Sequence, residues 1–206
     1  MATTTTTTET EDTTVRERII EAAFAAFMER GYAATSTLEI ATRARVSKRE
    51  LYALVGNKQE MLIACIRERA ARLQKPADLP LPQDRDTLTQ VLIAFGTQLV
   101  REISDPAVIA AFRLAIAEAV HAPEVAQTLD AIGRETSRAA LRAIMADAQA
   151  AGLVAGRPHK LADEFARLLY GDLLINLLLG LVERPTPREI ATRARDAVAA
   201  FLRLNP

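Results

Sequence analysis

The spacing of apolar residues is the feature that most constrains this chain. They recur every three or four positions, as at Ile19, Ile20, Ala23, Phe24 and Phe27, which places them on one face of an α-helix. Half of the residues are hydrophobic, Ala and Leu are prominent, and there are only 8 Gly and no Trp. Because Ala and Leu favour helices and runs of Val, Ile or Thr are scarce beyond the N-terminus, the sequence predicts an all-α fold.

Breaks in this pattern divide the chain into predicted helices and segments. Helices are predicted at 14–30, 37–44, 48–54, 58–74, 84–103, 106–120, 123–151, 160–182 and 187–204. Pro76, Pro80 and Pro82 mark a linker, since proline interrupts helices. We therefore expect a disordered Thr-rich tail at 1–13, a small module at 14–75 and a larger helical domain at 76–206.

Charge is distributed unevenly, although the net charge of the whole chain is zero. Residues 14–75 carry 12 Lys and Arg against seven Asp and Glu, whereas the flanking segments are acidic. A basic surface attracts polyanions. The small module is therefore the segment suited to nucleic acid.

The chain has features of a cytoplasmic protein without a membrane partner. The single Cys65 lies in an apolar helical pattern and is interpreted as a buried structural thiol. The first 14 residues lack the apolar stretch of a signal peptide. The most apolar segment, 173–182, is shorter than the roughly 18 residues that a membrane helix needs.

Residues 37–56 have the spacing of a helix-turn-helix. Ala41 and Ala44 are small enough for two short helices to cross closely, and Ser47 with Glu50 forms the sequence pattern of a capping box. The outer face of the second helix then presents Lys48, Arg49 and Tyr52 to a major groove. The alternative is that two short helices merely pack together and that these charges are solvated.

The segment Val15–Arg69 resembles the TetR/AcrR family of bacterial transcriptional regulators. The resemblance rests on Gly31-Tyr32, Thr35 to Thr37, Ile40-Ala41, Val46-Ser47-Lys48, Leu51-Tyr52, Asn57-Lys58 and Met61-Leu62. It implies DNA contacts, mainly to phosphates, from Thr37, Ser47, Lys48, Tyr52 and Lys58, with bases contacted from the start of the second short helix, where Arg49 lies.

One residue departs from the family pattern in the turn of this motif. Arg45 stands where the family usually has glycine, and a left-handed conformation there costs a non-glycine residue about 1 kcal/mol. Either the turn is adjusted or Arg45 contacts a phosphate.

The same resemblance implies a function for each segment. Residues 14–75 become a DNA-binding domain with a connecting helix, and 76–206 a domain that binds an effector and forms a homodimer. The chain is then expected to bind a palindromic double-stranded operator, with repression as the default, and to be released by a small molecule. The predominance of aliphatic side chains in the larger domain favours an apolar or amphipathic effector.

Two residue sets in the larger domain follow from this expectation. Helix 160–182 is apolar on two sides, which suggests a subunit interface; the predicted interface residues are Leu174, Leu178, Leu181, Val198 and Phe201. The predicted effector pocket draws on aromatic or polar groups within apolar faces, for each of which core packing is the alternative: Phe95, Phe112, Glu118, His121, Met145, Tyr170 and Asn176.

Enzymatic chemistry has little support. Glu118 and His121 have the Glu-x-x-His spacing of di-iron bundles, but a second such pair is missing, because His159 has Gly156 at the Glu position. No nucleophile triad context or glycine-rich phosphate loop occurs. We predict no catalytic residue, metal or cofactor; the rival classes are a helical ligand-binding protein without DNA binding and a small metal-dependent enzyme.

Overall fold

The all-α expectation is confirmed. The structure is a computed structural model, and it describes the backbone of residues 4–74 and 79–206 and the side chains of residues 14–74 and 79–206. The helices are α1 (Thr4–Arg30), α2 (Thr37–Ala44), α3 (Lys48–Leu54), α4 (Lys58–Ala70), α5 (Arg85–Ile103), α6 (Pro106–Ala117), α7 (Pro123–Thr128), α8 (Glu135–Ala150), α9 (Pro158–Tyr170), α10 (Leu173–Leu179) and α11 (Pro187–Leu204). A 3-10 turn, Ala71–Leu73, follows α4, and a π-helical segment, Leu129–Arg134, joins α7 to α8.

The described residues form two compact units whose boundaries differ from the predicted linker. Unit 1 comprises the chain up to Arg69 together with Ala110–Ile132, and unit 2 comprises Ala70–Ile109 and Gly133–Pro206. The reason for the difference is that Leu114, Ala115, Val125 and Leu129 are buried with the core of the N-terminal helices. A boundary placed at the prolines alone does not predict that residues 110–132 pack with the N-terminal helices. Residues 75–78 of the predicted linker lie outside the described residues.

The N-terminal end of α1 also differs from the prediction. Residues 1–3 of the expected tail lie outside the described residues, whereas α1 begins at Thr4 rather than near residue 14. Extending a helix that is already formed adds one hydrogen bond per residue without a new nucleation step. The buried face of α1 thus supports helix beyond the residues that pack.

The core of unit 1 fixes the two short helices. Ile19, Ala23 and Phe27 of α1 and Met61 of α4 are fully buried, and they pack with Ile40 of α2. Burial of a large aliphatic or aromatic side chain contributes about 1.5–3 kcal/mol. The apolar stripe that defines α1 in the sequence is therefore also the surface that holds α2 and α3.

The core of unit 2 is formed by α5, α8, α9 and α11. Phe165 of α9 and Phe201 of α11 meet edge to face, with ring centroids 5.7 Å apart. Gly96 of α5 allows close approach, because a Cβ there would lie 3.4 Å from side-chain atoms of both Phe165 and Leu169. This arrangement buries one face of α11 inside the unit.

The predicted continuous helix 160–182 is wrong. The chain breaks at Gly171, whose backbone angles (φ 45°, ψ −128°) lie in a region that favours glycine. The guanidinium of Arg193 donates to the carbonyl oxygens of Leu169 and Tyr170, at 3.3 and 3.4 Å, which satisfies the end of α9. The helix α10 therefore starts anew at Leu173, while the buried side chains keep a spacing of four residues across the break, at Phe165, Leu169, Leu173 and Leu177.

Candidate nucleic-acid interface

The helix α2 is capped at both ends. The hydroxyl of Ser36 accepts a hydrogen bond from the backbone N–H of Glu39 at 3.2 Å, which satisfies one of the unpaired donors at a helix N-terminus. At the other end Arg45 adopts the left-handed conformation (φ 56°, ψ 46°), and its N–H donates to the carbonyl oxygens of Ala41 and Thr42. In the described part of the chain Arg45 is the only non-glycine residue with positive φ. The turn thus keeps the geometry for which glycine is usual.

The helix α3 starts from a complete capping box. Ser47 Oγ accepts from the N–H of Glu50 at 3.1 Å, and Glu50 Oε2 accepts from the N–H of Ser47 at 3.4 Å. Ala41 and Ala44 of α2 are buried, as is Leu51 of α3. Small side chains at this crossing let the helices approach, so the inner side of α3 is packed and its outer side is free.

Three side chains of α3 predicted to face DNA are exposed. Lys48, Arg49 and Tyr52 are all solvent-accessible, and Tyr52 is 44% exposed. The Lys48 Nζ lies 5.9 Å from the centre of the Tyr52 ring, within the range of a cation–π contact. The Tyr52 hydroxyl lies 3.3 Å from Thr37 Oγ1, at the start of α2. A cation, a guanidinium and two hydroxyls therefore share one surface, which we call the α3 face.

Lys58 lies differently from the cations of the α3 face. Its Nζ donates to the backbone oxygens of Tyr32 (2.9 Å), Thr35 (3.2 Å) and Ala33 (3.3 Å). The same ammonium lies 4.5 Å from the centre of the Tyr32 ring. Its three donors are thus engaged with the turn between α1 and α2.

Arg45 lines a second basic feature of unit 1. It is exposed and borders a groove of about 680 Å³ with Arg18, Glu21, Arg43 and Arg69, among other residues. Arg69 is engaged there, because its guanidinium lies 3.5 Å from the centre of the Phe24 ring. Arg45 is therefore a cation next to α3 that lies off the α3 face itself.

An ion-pair network links α1 to α2. Arg43 Nη2 lies 2.7 Å from a Glu29 oxygen and 2.9 Å from a Glu39 oxygen, and Arg30 Nε lies 3.0 Å from the same Glu39 oxygen. The hydrogen bond from Arg43 is the main cause that lowers the pKa of Glu29. Exposed ion pairs contribute little stability singly, so this network serves mainly to orient α2.

The predicted pocket residues are divided between the two units. Phe112, Glu118 and His121 belong to unit 1, where Glu118 is buried and His121 is exposed. In unit 2, Phe95 and Met145 are fully buried in the core. Tyr170 is partly buried against that core, and burial raises its pKa. Asn176 borders an open groove of about 1000 Å³, together with Asp172, Arg193 and residues of the 182–189 connection.

The predicted interface residues fall into two groups. Leu174 and Leu178 of α10 are partly exposed, and Leu181 is 69% exposed. Val198 and Phe201 lie in the core of unit 2, with exposures of 1% and 0%. Placing them at the surface is wrong, because the apolar stripe of α11 faces α5 and α9.

The surface of α10 includes apolar residues that the sequence interpretation did not select. Ile175, Leu179 and Val182 are exposed, with Leu179 at 65%. The signal available in the sequence is the Leu-rich run enclosed by Gly171 and Gly180. All seven residues of α10 except Asn176 are apolar, so a helix of two turns there cannot bury every apolar side chain in its own core.

Two features of the described residues bear on the other functional classes. In the part of the chain that the structure describes, no helix is long and apolar enough to cross a membrane. Among the same residues, no group of three or more His, Cys, Asp or Glu is arranged to hold a metal ion. The thiol of Cys65 is buried, and burial raises its pKa to about 12.

The fold and this surface define a class of protein: a helix-turn-helix DNA-binding regulator with a larger helical domain. Residues 19–65 match the family described as bacterial regulatory proteins of the tetR family. Residues 90–204, more than half of the chain, match the family described as the C-terminal domain of AefR-like transcriptional repressors. The chain belongs to the TetR family of bacterial transcriptional regulators, which are not enzymes.

Solved structures agree with this assignment, whereas no curated protein sequence matches the chain. A TetR transcriptional regulator from Agrobacterium tumefaciens is 25% identical, with a TM-score of 0.76 over 92% of this chain and 94% of that one. The flavonoid-responsive regulator FrrA is 28% identical, with a TM-score of 0.76 over 93% and 96% of the two chains. A TetR family regulator from Pseudomonas syringae pv. tomato str. DC3000 is also 28% identical, with a TM-score of 0.69 over 93% and 96%.

Proposed function

We propose that the chain is a homodimeric repressor that binds a palindromic operator and is released from it by a small-molecule effector. The observation that carries the proposal is the α3 face, where Lys48, Arg49 and Tyr52 are exposed on a helix whose N-terminus is capped. A helix with a packed inner side and a cationic outer side fits the width of a major groove.

Different roles are assigned to the side chains of this surface. Lys48 and Arg49, in the first turn of α3, are placed to contact base edges and phosphates of the groove. The hydroxyls of Thr37, Ser47 and Tyr52 suit phosphate oxygens, because each can donate a hydrogen bond. Arg45 is assigned to a flanking phosphate.

Lys58 is assigned a supporting role. Its donors already reach three backbone oxygens of the turn before α2, so its contribution to DNA binding is to hold that turn. This assignment differs from the direct phosphate contact that the family resemblance implies for Lys58.

The proposal of a dimer is supported by the exposed apolar surface of α10 and the residues after it. Ile175, Leu179 and Leu181 are each at least half exposed, and single-chain proteins rarely leave such side chains grouped in water. We place a two-fold interface there, with Leu174 and Leu178 at its inner margin. A symmetric dimer presents two α3 helices to half-sites one helical turn of DNA apart, about 34–36 Å, or a multiple of it.

The effector is assigned to unit 2. Tyr170 and Asn176 are the predicted pocket residues that keep accessible surface in this unit, and Phe95 and Met145 are assigned to the core beneath. The relative FrrA is named as flavonoid-responsive. This name supports an apolar or amphipathic effector, as does the predominance of aliphatic side chains in the sequence of the larger domain.

Fluorescence anisotropy with a duplex from the region upstream of the chain's own gene tests the proposal. Lys48→Ala combined with Arg49→Ala is expected to weaken binding at least about tenfold, because cations that contact DNA are lost. The matched control is Lys160→Ala combined with Arg203→Ala, which removes two exposed cations of unit 2. Equal affinity of the two double variants, or no salt-sensitive binding by the unmodified protein, contradicts the proposed function.

A further inference from the structure

The turn between α1 and α2 is held from several directions. Gly31 has φ 85°, and its N–H donates to the carbonyl oxygen of Phe27 at 2.9 Å, which ends α1. The buried hydroxyl of Thr35 donates to the carbonyl oxygens of Ala26 and Gly31 at 3.1 and 2.8 Å. The ammonium of Lys58 donates to three further oxygens of this turn, those of Tyr32, Ala33 and Thr35. The helix α2 begins two residues after Thr35, so these hydrogen bonds hold the segment that leads into it.

A buried carboxylate also reaches this turn, from a distant part of the chain. Glu118 is 8% exposed, and its Oε1 accepts a hydrogen bond from the backbone N–H of Ala33 at 3.1 Å. The approach is close, because a Cβ added at Gly31 would lie 2.8 Å from the same oxygen. Glycine at position 31 therefore serves both the backbone angle and the room for Glu118.

Glu118 lies in a segment of unit 1 that is connected at both ends to residues of unit 2. Glu118 follows α6 directly, and its backbone N–H and C=O are fixed by Leu114 and Ala122, at 2.9 and 2.8 Å. It belongs to the segment Ala110–Ile132, the part of unit 1 that is joined at both ends to the chain of unit 2. Any movement of this segment relative to the turn at 31–35 changes the distance between Glu118 Oε1 and the backbone N–H of Ala33.

The effect of such a shift reaches the α3 face through α2. The turn at 31–35 precedes Ser36, the N-cap of α2, and Thr37, whose hydroxyl lies 3.3 Å from that of Tyr52. Moving the turn therefore moves the start of α2 and the hydroxyls assigned to phosphate. The packed crossing of α2 and α3 transmits the movement, since buried side chains at close packing do not yield independently.

We propose that Glu118 is a positioning residue for DNA binding: its hydrogen bond to the Ala33 amide sets the orientation of α2 and makes operator affinity depend on the segment 110–132. This inference rests on the proposed function. It gives Glu118 a role in the DNA-binding unit in place of the effector pocket to which the sequence pattern assigned it.

The test compares Glu118→Ala with Glu118→Gln in the full-length protein. Alanine removes the acceptor, whereas the amide oxygen of glutamine can still accept from Ala33. A hydrogen bond of this kind is worth about tenfold in an equilibrium, so Glu118→Ala is expected to lower the ratio of operator affinity to random-duplex affinity about tenfold. Glu118→Gln is expected to restore most of that ratio. Asp163→Asn, at an exposed carboxylate of α9, is the control and should leave the ratio unchanged.

A second readout separates positioning from simple support of the fold. The amide exchange rate of Ala33, measured by NMR without DNA, is expected to rise in Glu118→Ala and to stay near the original in Glu118→Gln. Affinities are corrected for the folded fraction of each variant, because a purely structural role would lower operator and random-duplex binding in parallel. An unchanged ratio after that correction overturns the proposal, as does equal loss in the alanine and glutamine variants.

A double-mutant cycle with Gly31→Ala tests the contact from the side of the turn. Gly31→Ala places a Cβ against Glu118, so its effect on operator affinity should be smaller in the Glu118→Ala background, where that space is empty. Additive effects contradict the contact. If the unmodified protein shows no preference for the operator, the proposed function and the role of Glu118 both fail, while Ala33 exchange still reports whether the hydrogen bond exists.

Discussion

The left-handed residue in the helix-turn-helix turn gives the sharpest prediction of stability. Arg45 holds φ 56° at the C-cap of α2, a conformation that costs a residue with a Cβ roughly 1–2 kcal/mol. Glycine removes that cost but adds roughly 0.5–1 kcal/mol of backbone entropy to the unfolded chain. The midpoints of these two ranges differ by about 0.75 kcal/mol, so Arg45→Gly is expected to raise the free energy of unfolding by about 0.5–1 kcal/mol.

Arg45→Ala is the matched comparison. It removes the guanidinium but keeps the Cβ, so the backbone strain remains, and stability should stay within about 0.5 kcal/mol of the original because the side chain is exposed. For a chain of this size the difference between the two variants corresponds to roughly 1–4 °C in Tm. Thermal unfolding followed by circular dichroism, with urea titration as a check, measures it.

The same pair of variants separates strain from DNA contact. Both lack the cation assigned to a flanking phosphate, so both should weaken operator binding equally. Each should reduce the slope of log affinity against log salt by about 1.8, because a homodimer loses one phosphate contact from each protomer. Equal stability of the glycine and alanine variants would refute the left-handed turn. Unchanged affinity and slope in both would refute the phosphate contact.

Three further predictions concern other parts of the chain. Lys48→Ala with Arg49→Ala should reduce the salt slope of operator binding by about 3.6 if both side chains of both protomers contact phosphates, as measured by anisotropy between 50 and 200 mM salt; an unchanged slope contradicts these phosphate contacts. Leu179→Arg should convert a dimer to a monomer in sedimentation velocity, whereas Leu204→Arg, at an equally exposed leucine, should not; a dimer in both variants contradicts the α10 interface. Burial raises the pKa of Cys65 to about 12, so its thiol should stay protonated and unreactive toward a disulfide reagent at pH 8 until the protein unfolds. The unfolded thiol ionises near pH 8.5, so the contribution of Cys65 to stability should be constant below that pH and be lost as the pH rises toward 12; rapid labelling of the folded protein would contradict this.

Local rules were sufficient for the small module. The bounds of α2 and α3 follow from short-range signals: Ser36 and Ser47 cap the helix starts, and Ala41 and Ala44 allow the crossing. These signals act within about four residues, so they specify the two helices independently of the fold of the rest of the chain. The exposure of the α3 face follows from them, because a helix of seven residues that packs on one side must expose the residues of its opposite side to solvent.

Features that depend on distant residues were not accessible in the same way. The sequence places Glu118 on a helix face beside His121, but its partner is an amide 85 positions away in the chain. Residues 110–132 belong to unit 1 because of tertiary packing, and the helical periodicity of the sequence carries no information about which unit a helix packs against. Periodicity marks a face as buried without naming what covers it.

Helix breaks explain the errors in the larger domain. A glycine within an apolar run is compatible with a continuous helix, and only the backbone angles of Gly171 and the hydrogen bonds from Arg193 decide otherwise. Leu173 and Leu177 continue the buried spacing of Phe165 and Leu169, but the exposed side of α10 includes Ile175 and Leu179, whereas the predicted Leu174 and Leu178 are only partly exposed. Val198 and Phe201 show the converse: a correct apolar stripe on α11 was assigned to a partner when the chain's own core covers it.

The most direct test of the central claim, that α3 enters the major groove, is dimethyl sulfate protection of guanine N7 on an operator duplex. Guanine N7 lies in the major groove. The account predicts two protected clusters related by two-fold symmetry and separated by a whole number of helical turns, both lost in Lys48→Ala with Arg49→Ala. Saturated binding that leaves every guanine N7 reactive would contradict it.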